Sequence, residues 1–120
     1  MQLDEYQKLA NEFATKDLPD DYAFTNGASE MGETMGKFAK YQRKFCMSLI
    51  DSIARCRNPK TGADLNLNQD VKKELGDELW QLQRKATVCG FSLNDLAKSN
   101  IDKLIDRAER NLICGEGDNR

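Results

Sequence analysis

Apolar residues recur at helical spacing along most of the chain. Leu3, Tyr6, Leu9, Ala10 and Phe13 step by three and four positions, which predicts a first helix over about residues 2–16. The run from Lys16 to Asp21 contains Pro19 and breaks it. Met31, Met35, Phe38, Phe45, Leu49 and Ile53 keep the same period, predicting a long second helix from about Asn26 or Ala28 to about Arg55. Gly27, Gly32 and Gly36 fall near its start. Each costs about 1 kcal/mol against alanine, so something other than propensity keeps small residues there. Residues 57–64 (Arg-Asn-Pro-Lys-Thr-Gly-Ala-Asp) have the turn chemistry of a loop. Asn66 or Asn68 can cap a third helix that carries Val71, Leu75, Leu79, Leu82 and Ala86 to about Cys89. Gly90 stops it and Ser92 caps a fourth, with Leu93, Leu96, Ala97, Ile101, Leu104, Ala108 and Leu112 on its apolar face. Residues 115–120 form a polar tail, and no alternating strand pattern competes. The expectation is an all-α antiparallel bundle of about four main helices.

The chain's 120 residues and 13.6 kDa fit a single domain over 1–120. A chain of this size buries roughly 65% of its unfolded surface, enough for a real core. It contains no histidine, which excludes serine–histidine and cysteine–histidine catalysis and histidine-ligated zinc or copper. No run of 18 apolar residues is present, so no membrane span is expected, and the N-terminus lacks the basic and apolar parts of a signal peptide. A net charge of −2 and a pI near 5.2 argue against a nucleic-acid partner. Cys46, Cys56, Cys89 and Cys114 are widely spaced without a Cys-x-x-Cys pair, which reads as a reduced cytoplasmic protein.

Glu30 and Glu33 are three apart on the second helix, and Glu74 and Asp77 are three apart on the third. Residues at that spacing share a helix face. Neither pair lies on its helix's main apolar stripe; if the two flanks face each other, four carboxylates converge. Such a group needs cations, because repulsion and desolvation would otherwise force protonation or unfolding. Mg²⁺ suits an all-oxygen set, and divalent ions so held suit phosphate esters and anhydrides. The same pairs also occur on solvated helices, where Glu33 would pair with Lys37 and Asp77 with Gln81 or Arg84. A di-iron bundle would need Glu-x-x-His motifs, which a histidine-free chain lacks.

Asn100, Lys103 and Arg107 form a narrow stripe on the fourth helix at i, i+3, i+7 spacing. Their donors could hold phosphate oxygens, or the stripe could be a solvated basic edge neutralised by Asp102, Asp106 and Glu109. Trp80 neighbours Asp77 and could pack in a core or interface, or stack on a base or sugar. Glu78, one turn from Glu74, could add a ligand or pair with Lys73 or Lys85.

Ser29-Glu30-Met31-Gly32-Glu33, the run Lys73-Glu74-Leu75-Gly76-Asp77-Glu78-Leu79-Trp80, and Asn100-x-x-Lys103-x-x-x-Arg107 together resemble the MazG-like nucleoside triphosphate pyrophosphohydrolases. The tail at residues 115–120 resembles that of short, single-domain members, phage-type ones included. The resemblance covers about residues 1–45 and 70–120. It implies a bundle completed by homo-oligomerisation, as a homodimer or homotetramer. It implies Mg²⁺-dependent hydrolysis (with Mn²⁺ a possible substitute) of a ribo- or deoxynucleoside triphosphate to monophosphate and pyrophosphate, by attack of a metal-activated water on the α-phosphate. Carried over, Glu30, Glu33, Glu74 and Asp77 are the catalytic metal ligands, with Glu33 or Glu30 also acting on the water. Asn100, Lys103 and Arg107 hold phosphates. The implied setting is the bacterial cytosol or that of a phage-infected host.

Two departures stand out. Many members carry an acidic residue where this chain has Ser29. The segment from about Arg43 to Gln69 matches no family motif; it could extend helix two, cover the site or shape a subunit interface. Two other readings stay open: a non-catalytic helical dimerisation or regulatory module, and a nucleotide binder without turnover.

Overall fold

Among the described residues, five helices follow one another along the chain: α1 (Leu3–Asn11), α2 (Tyr22–Phe45), α3 (Leu49–Arg57), α4 (Gly62–Val88) and α5 (Leu93–Glu109). The structure, a computed structural model, describes residues 1–14 and 16–110; among them there is no strand, as the helical period predicts. No helix among the described residues is long and apolar enough to cross a membrane. The expected continuation of the last helix to Leu112, Cys114 and the tail at residues 115–120 lie outside the described residues. The chain divides into two compact units, Thr15–Lys85 and Met1–Ala14 with Ala86–Arg120.

In the first of these, the expected long helix is two helices. Cys46 takes a left-handed conformation with φ 50° and ends α2. The Met47 N–H closes back on the Gln42 carbonyl at 3.2 Å. Ser48 then starts α3, its hydroxyl accepting from the Asp51 N–H at 3.1 Å. The third predicted helix, here α4, begins earlier than Asn66. Thr61 Oγ1 accepts from the Asp64 N–H and the Asp64 carboxylate accepts from the Thr61 N–H, both at 3.3 Å. This reciprocal capping box nucleates the helix inside the expected loop. Likewise α2 begins at Tyr22, whose N–H donates to the Pro19 carbonyl at 3.0 Å.

α2 and α4 run antiparallel: Gly27 lies against Gln81 and Lys85, Thr34 meets Glu78, Lys37 meets Glu74 and Tyr41 meets Asp64. Phe38, Tyr41, Leu67 and Val71 form the buried core of this hairpin, with Met47, Leu49, Cys56 and Ala63 packed around it. Gly27 is small for a packing reason. A Cβ there would stand 3.0 Å from the Lys85 ammonium nitrogen and 3.8 Å from Gln81 Cβ. Gly32 and Gly36 have open space around them.

Asp64 is 1% exposed and carries a charge into this core. It accepts from the Tyr41 hydroxyl, from the backbone N–H groups of Lys60 (3.1 Å) and Thr61 (3.3 Å), and from Arg55 (3.4 Å). These donors, Tyr41 foremost, outweigh burial and pull its pKa down to about 2.

In the other unit, α1 is shorter than the predicted 2–16. Beyond Asn11 the bonds tighten to i→i+3 turns at Phe13 and Ala14, and Phe13 is exposed. Gln7 is buried and fully employed. Its amide donates to Thr87 Oγ1 and the Phe91 carbonyl, each at 2.9 Å, and its oxygen accepts from the Leu93 N–H at 2.8 Å. Asp4 accepts from Ser92 Oγ and the Asn94 N–H at 2.9 Å, placing negative charge at the positive end of α5. Gly90, at φ +79°, ends α4, and Ser92 caps α5, both at the predicted positions.

Candidate metal centre

The antiparallel α2–α4 hairpin brings the first acidic pair to the second. Oxygens of Glu30, Glu33 and Glu74 lie within 4.8 Å of one another, with Glu30 and Glu74 half-buried and Glu33 exposed. Asp77 stands one helical step beyond Glu74 and feels both Glu74 and Glu30. The close cluster is thus Glu30, Glu33 and Glu74, with Asp77 outside that group but coupled electrostatically to Glu30 and Glu74.

Like charge and desolvation raise the pKa of two of these groups, Glu33 and Asp77. Glu30 above all, then partial desolvation and Glu74, pushes the Glu33 carboxyl above the usual carboxylate range. Desolvation first, then Glu30 and Glu74, does the same to Asp77. Like charges held this close in a partly dry site call for a counter-cation. The donor set is all carboxylate oxygen, with neither sulfur nor imidazole, and it can adapt its mono- or bidentate modes. A hard divalent ion fits it; a zinc- or iron-selective site would require softer ligands.

Neighbouring side chains hold the carboxylates in place. Asn26 donates to Glu30 at 2.8 Å, from one turn earlier on α2. The Lys37 ammonium lies 3.2 Å from Glu74, crossing between helices rather than pairing with Glu33. Glu74 keeps that ammonium more basic than usual. The buried Thr34 hydroxyl donates to Glu78, so Glu78 is engaged by a hydroxyl and not by Lys73 or Lys85. Sequence reading missed Asn26 and Thr34; the four-residue step from Asn26 to Glu30 was the available signal, whereas no local spacing links Thr34 to Glu78.

Trp80 is half-buried on α4. Asn100, Lys103 and Arg107 lie on α5, in the other unit, where Asn100 and Lys103 are exposed and Arg107 is buried.

The all-helical fold thus offers clustered carboxylates from antiparallel helices, an all-oxygen donor set of the kind hard divalent cations take. Residues 28–111 match the MazG nucleotide pyrophosphohydrolase domain, and the chain belongs to that family. It is 28% identical over 121 aligned residues to the Gene 37 protein of Mycobacterium phage L5, with both chains covered in full. No solved structure matches it.

Proposed function

We propose that this chain, acting as one domain over residues 1–120, is a Mg²⁺-dependent nucleoside triphosphate pyrophosphohydrolase releasing monophosphate and pyrophosphate. The observation that carries this reading is the convergence of Glu30, Glu33 and Glu74 within 4.8 Å, inside the segment matched by the family. Glu30, Glu33, Glu74 and Asp77 would hold divalent cation, with Mn²⁺ able to replace Mg²⁺. Such a cation, when bound, screens phosphate charge and acidifies water.

The chain's own groups do the rest. Asn26 and Lys37 fix the carboxylates of Glu30 and Glu74, so neither must reorganise when substrate enters. Glu33, the exposed member of the cluster of Glu30, Glu33 and Glu74, would take the proton of the water that attacks the α-phosphorus. Asn100, Lys103 and Arg107 supply amide and cationic donors for phosphate oxygens. Trp80 is a lesser candidate for base or sugar contact.

We further propose a homodimer or a dimer of such dimers. Met31, Met35, Leu75, Leu79 and Leu82 are exposed on the α2–α4 hairpin beside the open Gly32 and Gly36, and several line one groove with Gly27. A surface of large apolar residues beside backbone without Cβ cover suits a second helix pair. Leu79→Glu should shift the mass measured by light scattering to that of one chain.

The deciding experiment is pyrophosphate release from a panel of ribo- and deoxynucleoside triphosphates, with and without Mg²⁺, beside Glu74→Gln. Equal monophosphate and pyrophosphate, dependent on Mg²⁺ and lost in the variant, is the expected result. No release from folded protein across the panel would leave a non-catalytic helical interaction module, which the same apolar face favours.

A further inference from the structure

A cavity of about 330 Å³ opens beside the carboxylate cluster, between the second half of α2 and the first two turns of α4. Its walls come largely from the stretch that carries no family motif. Tyr41 and Phe45 supply aromatic surface, Ala63 and Leu67 aliphatic surface, and Asn66 and Asp70 polar groups from α4. Lys37, Lys40 and Lys44 border it on α2. The cavity connects to the cluster through Lys37, which borders it and also pairs with Glu74. Asp70 stands one helical turn before Glu74 and acts electrostatically on the same lysine.

We propose that this cavity receives the base and sugar of the nucleotide, so that the segment around residues 43–69 sets substrate preference. The inference rests on the pyrophosphohydrolase reading and names the part of the substrate that the carboxylates cannot recognise.

The lining matches a nucleoside better than a bare polyphosphate. Two of the bordering ammonium groups are already engaged, Lys37 with Glu74 and Lys44 with the Phe45 ring at 5.4 Å. The lining is aromatic from α2, and α4 adds aliphatic surface together with an amide and a carboxylate. An aromatic face accepts any base by stacking. An amide offers both donor and acceptor and so can distinguish base edges, while a carboxylate accepts from sugar hydroxyls or an exocyclic amine. The volume lies at the small end of ligand pockets, sufficient for a nucleoside moiety. The wall is also rigid before any ligand arrives. Tyr41 is anchored through its hydroxyl to Asp64, and its ring lies 4.5 Å, centroid to centroid, from that of Phe45. That rigidity reduces the ordering cost of binding.

The test compares kcat and KM for the panel of triphosphates in the wild type, Phe45→Ala, Asn66→Ala and Asp70→Asn. Phe45 is 40% exposed and Asn66 is exposed, so folding, checked by circular dichroism, should survive both changes. The expected result is a rise in KM of about tenfold for the preferred nucleotide in Phe45→Ala, with kcat nearly unchanged. Asn66→Ala should compress the ranking of bases. Wild-type activity with KM and ranking unchanged in all three variants would overturn the inference and leave the hydrolase reading standing. Absence of wild-type activity would remove both.

Discussion

The α2–α4 hairpin treats its carboxylates in two opposite ways. At one end, Asp64 is almost fully buried yet more acidic than usual, because Tyr41, two backbone N–H groups and Arg55 all donate to it. At the other, Glu33 is exposed yet less acidic than usual, because its neighbours Glu30 and Glu74 are also carboxylates. Burial alone would predict the reverse order. The partners decide: Asp64 is a completed structural clamp among α2, α3 and α4, whereas the glutamate cluster is left short of positive charge. The fold satisfies one acid with four donors and, among the described residues, sets three others together with Lys37 paired to Glu74, a contrast that supports the proposed cation site.

Separating the two roles should give the largest effect on turnover. Glu30→Gln should lower pyrophosphate release by about 100-fold or more, with unchanged helicity, because it removes one charge from the cation-binding set. Asp64→Ala should leave kcat per folded molecule within a few-fold. A comparable loss of kcat in both variants would erase the distinction.

The second contrast is thermal. Asp64→Ala leaves the Tyr41 hydroxyl and the Lys60 and Thr61 N–H groups without their acceptor, and should lower Tm by roughly 5–10 °C. The acid profile adds a sign. A carboxylate whose folded pKa is about 2, below its unfolded value, contributes stability that is present above about pH 4 and lost as pH falls towards about 2. Stability measured across that window should fall less steeply in Asp64→Ala than in the wild type.

Much of this was readable in the sequence, and the rest failed for identifiable reasons. The pairs Glu30/Glu33 and Glu74/Asp77 stood at i, i+3, and a stop at Gly90 followed by a cap at Ser92 was explicit. The break between α2 and α3 was hidden because Phe45, Leu49 and Ile53 keep a four-residue step straight through it. No glycine or proline marks the turn; a left-handed cysteine makes it, which few non-glycine residues do. Ser48-x-x-Asp51 and Thr61-x-x-Asp64 were the missed signals, both polar caps lying just before helical runs. The Lys37–Glu74 pair was beyond local spacing. It needed the register of α2 against α4, which only the packed core supplies.

A third effect is intermediate in size. If the glutamate cluster binds divalent cation, Mg²⁺ or Mn²⁺ at about tenfold above its dissociation constant should raise Tm by roughly 5 °C. Glu74→Gln should abolish that rise and Asp64→Ala should preserve it, although from a lower baseline. An equal rise in wild type and Glu74→Gln would place the cation elsewhere.

The smallest effect is the most specific to the contrast. Without metal, Glu33→Gln should raise Tm by about 1–2 °C, because it removes a charge repelled by Glu30 and Glu74 while leaving the site's shape intact. The gain is small since Glu33 is exposed and water screens it. It should still be measurable, because the oxygens lie within 4.8 Å, less than the screening length of about 8 Å at physiological salt. Raising salt to 1 M shortens that length to about 3 Å and should shrink the difference between variant and wild type. Lys37→Met should act in the opposite direction at low salt, since it removes the ammonium 3.2 Å from Glu74. If Glu33→Gln instead lowered the metal-free Tm, the cluster would be a net stabilising network like that of Asp64, and the repulsion that calls for a cation would be absent.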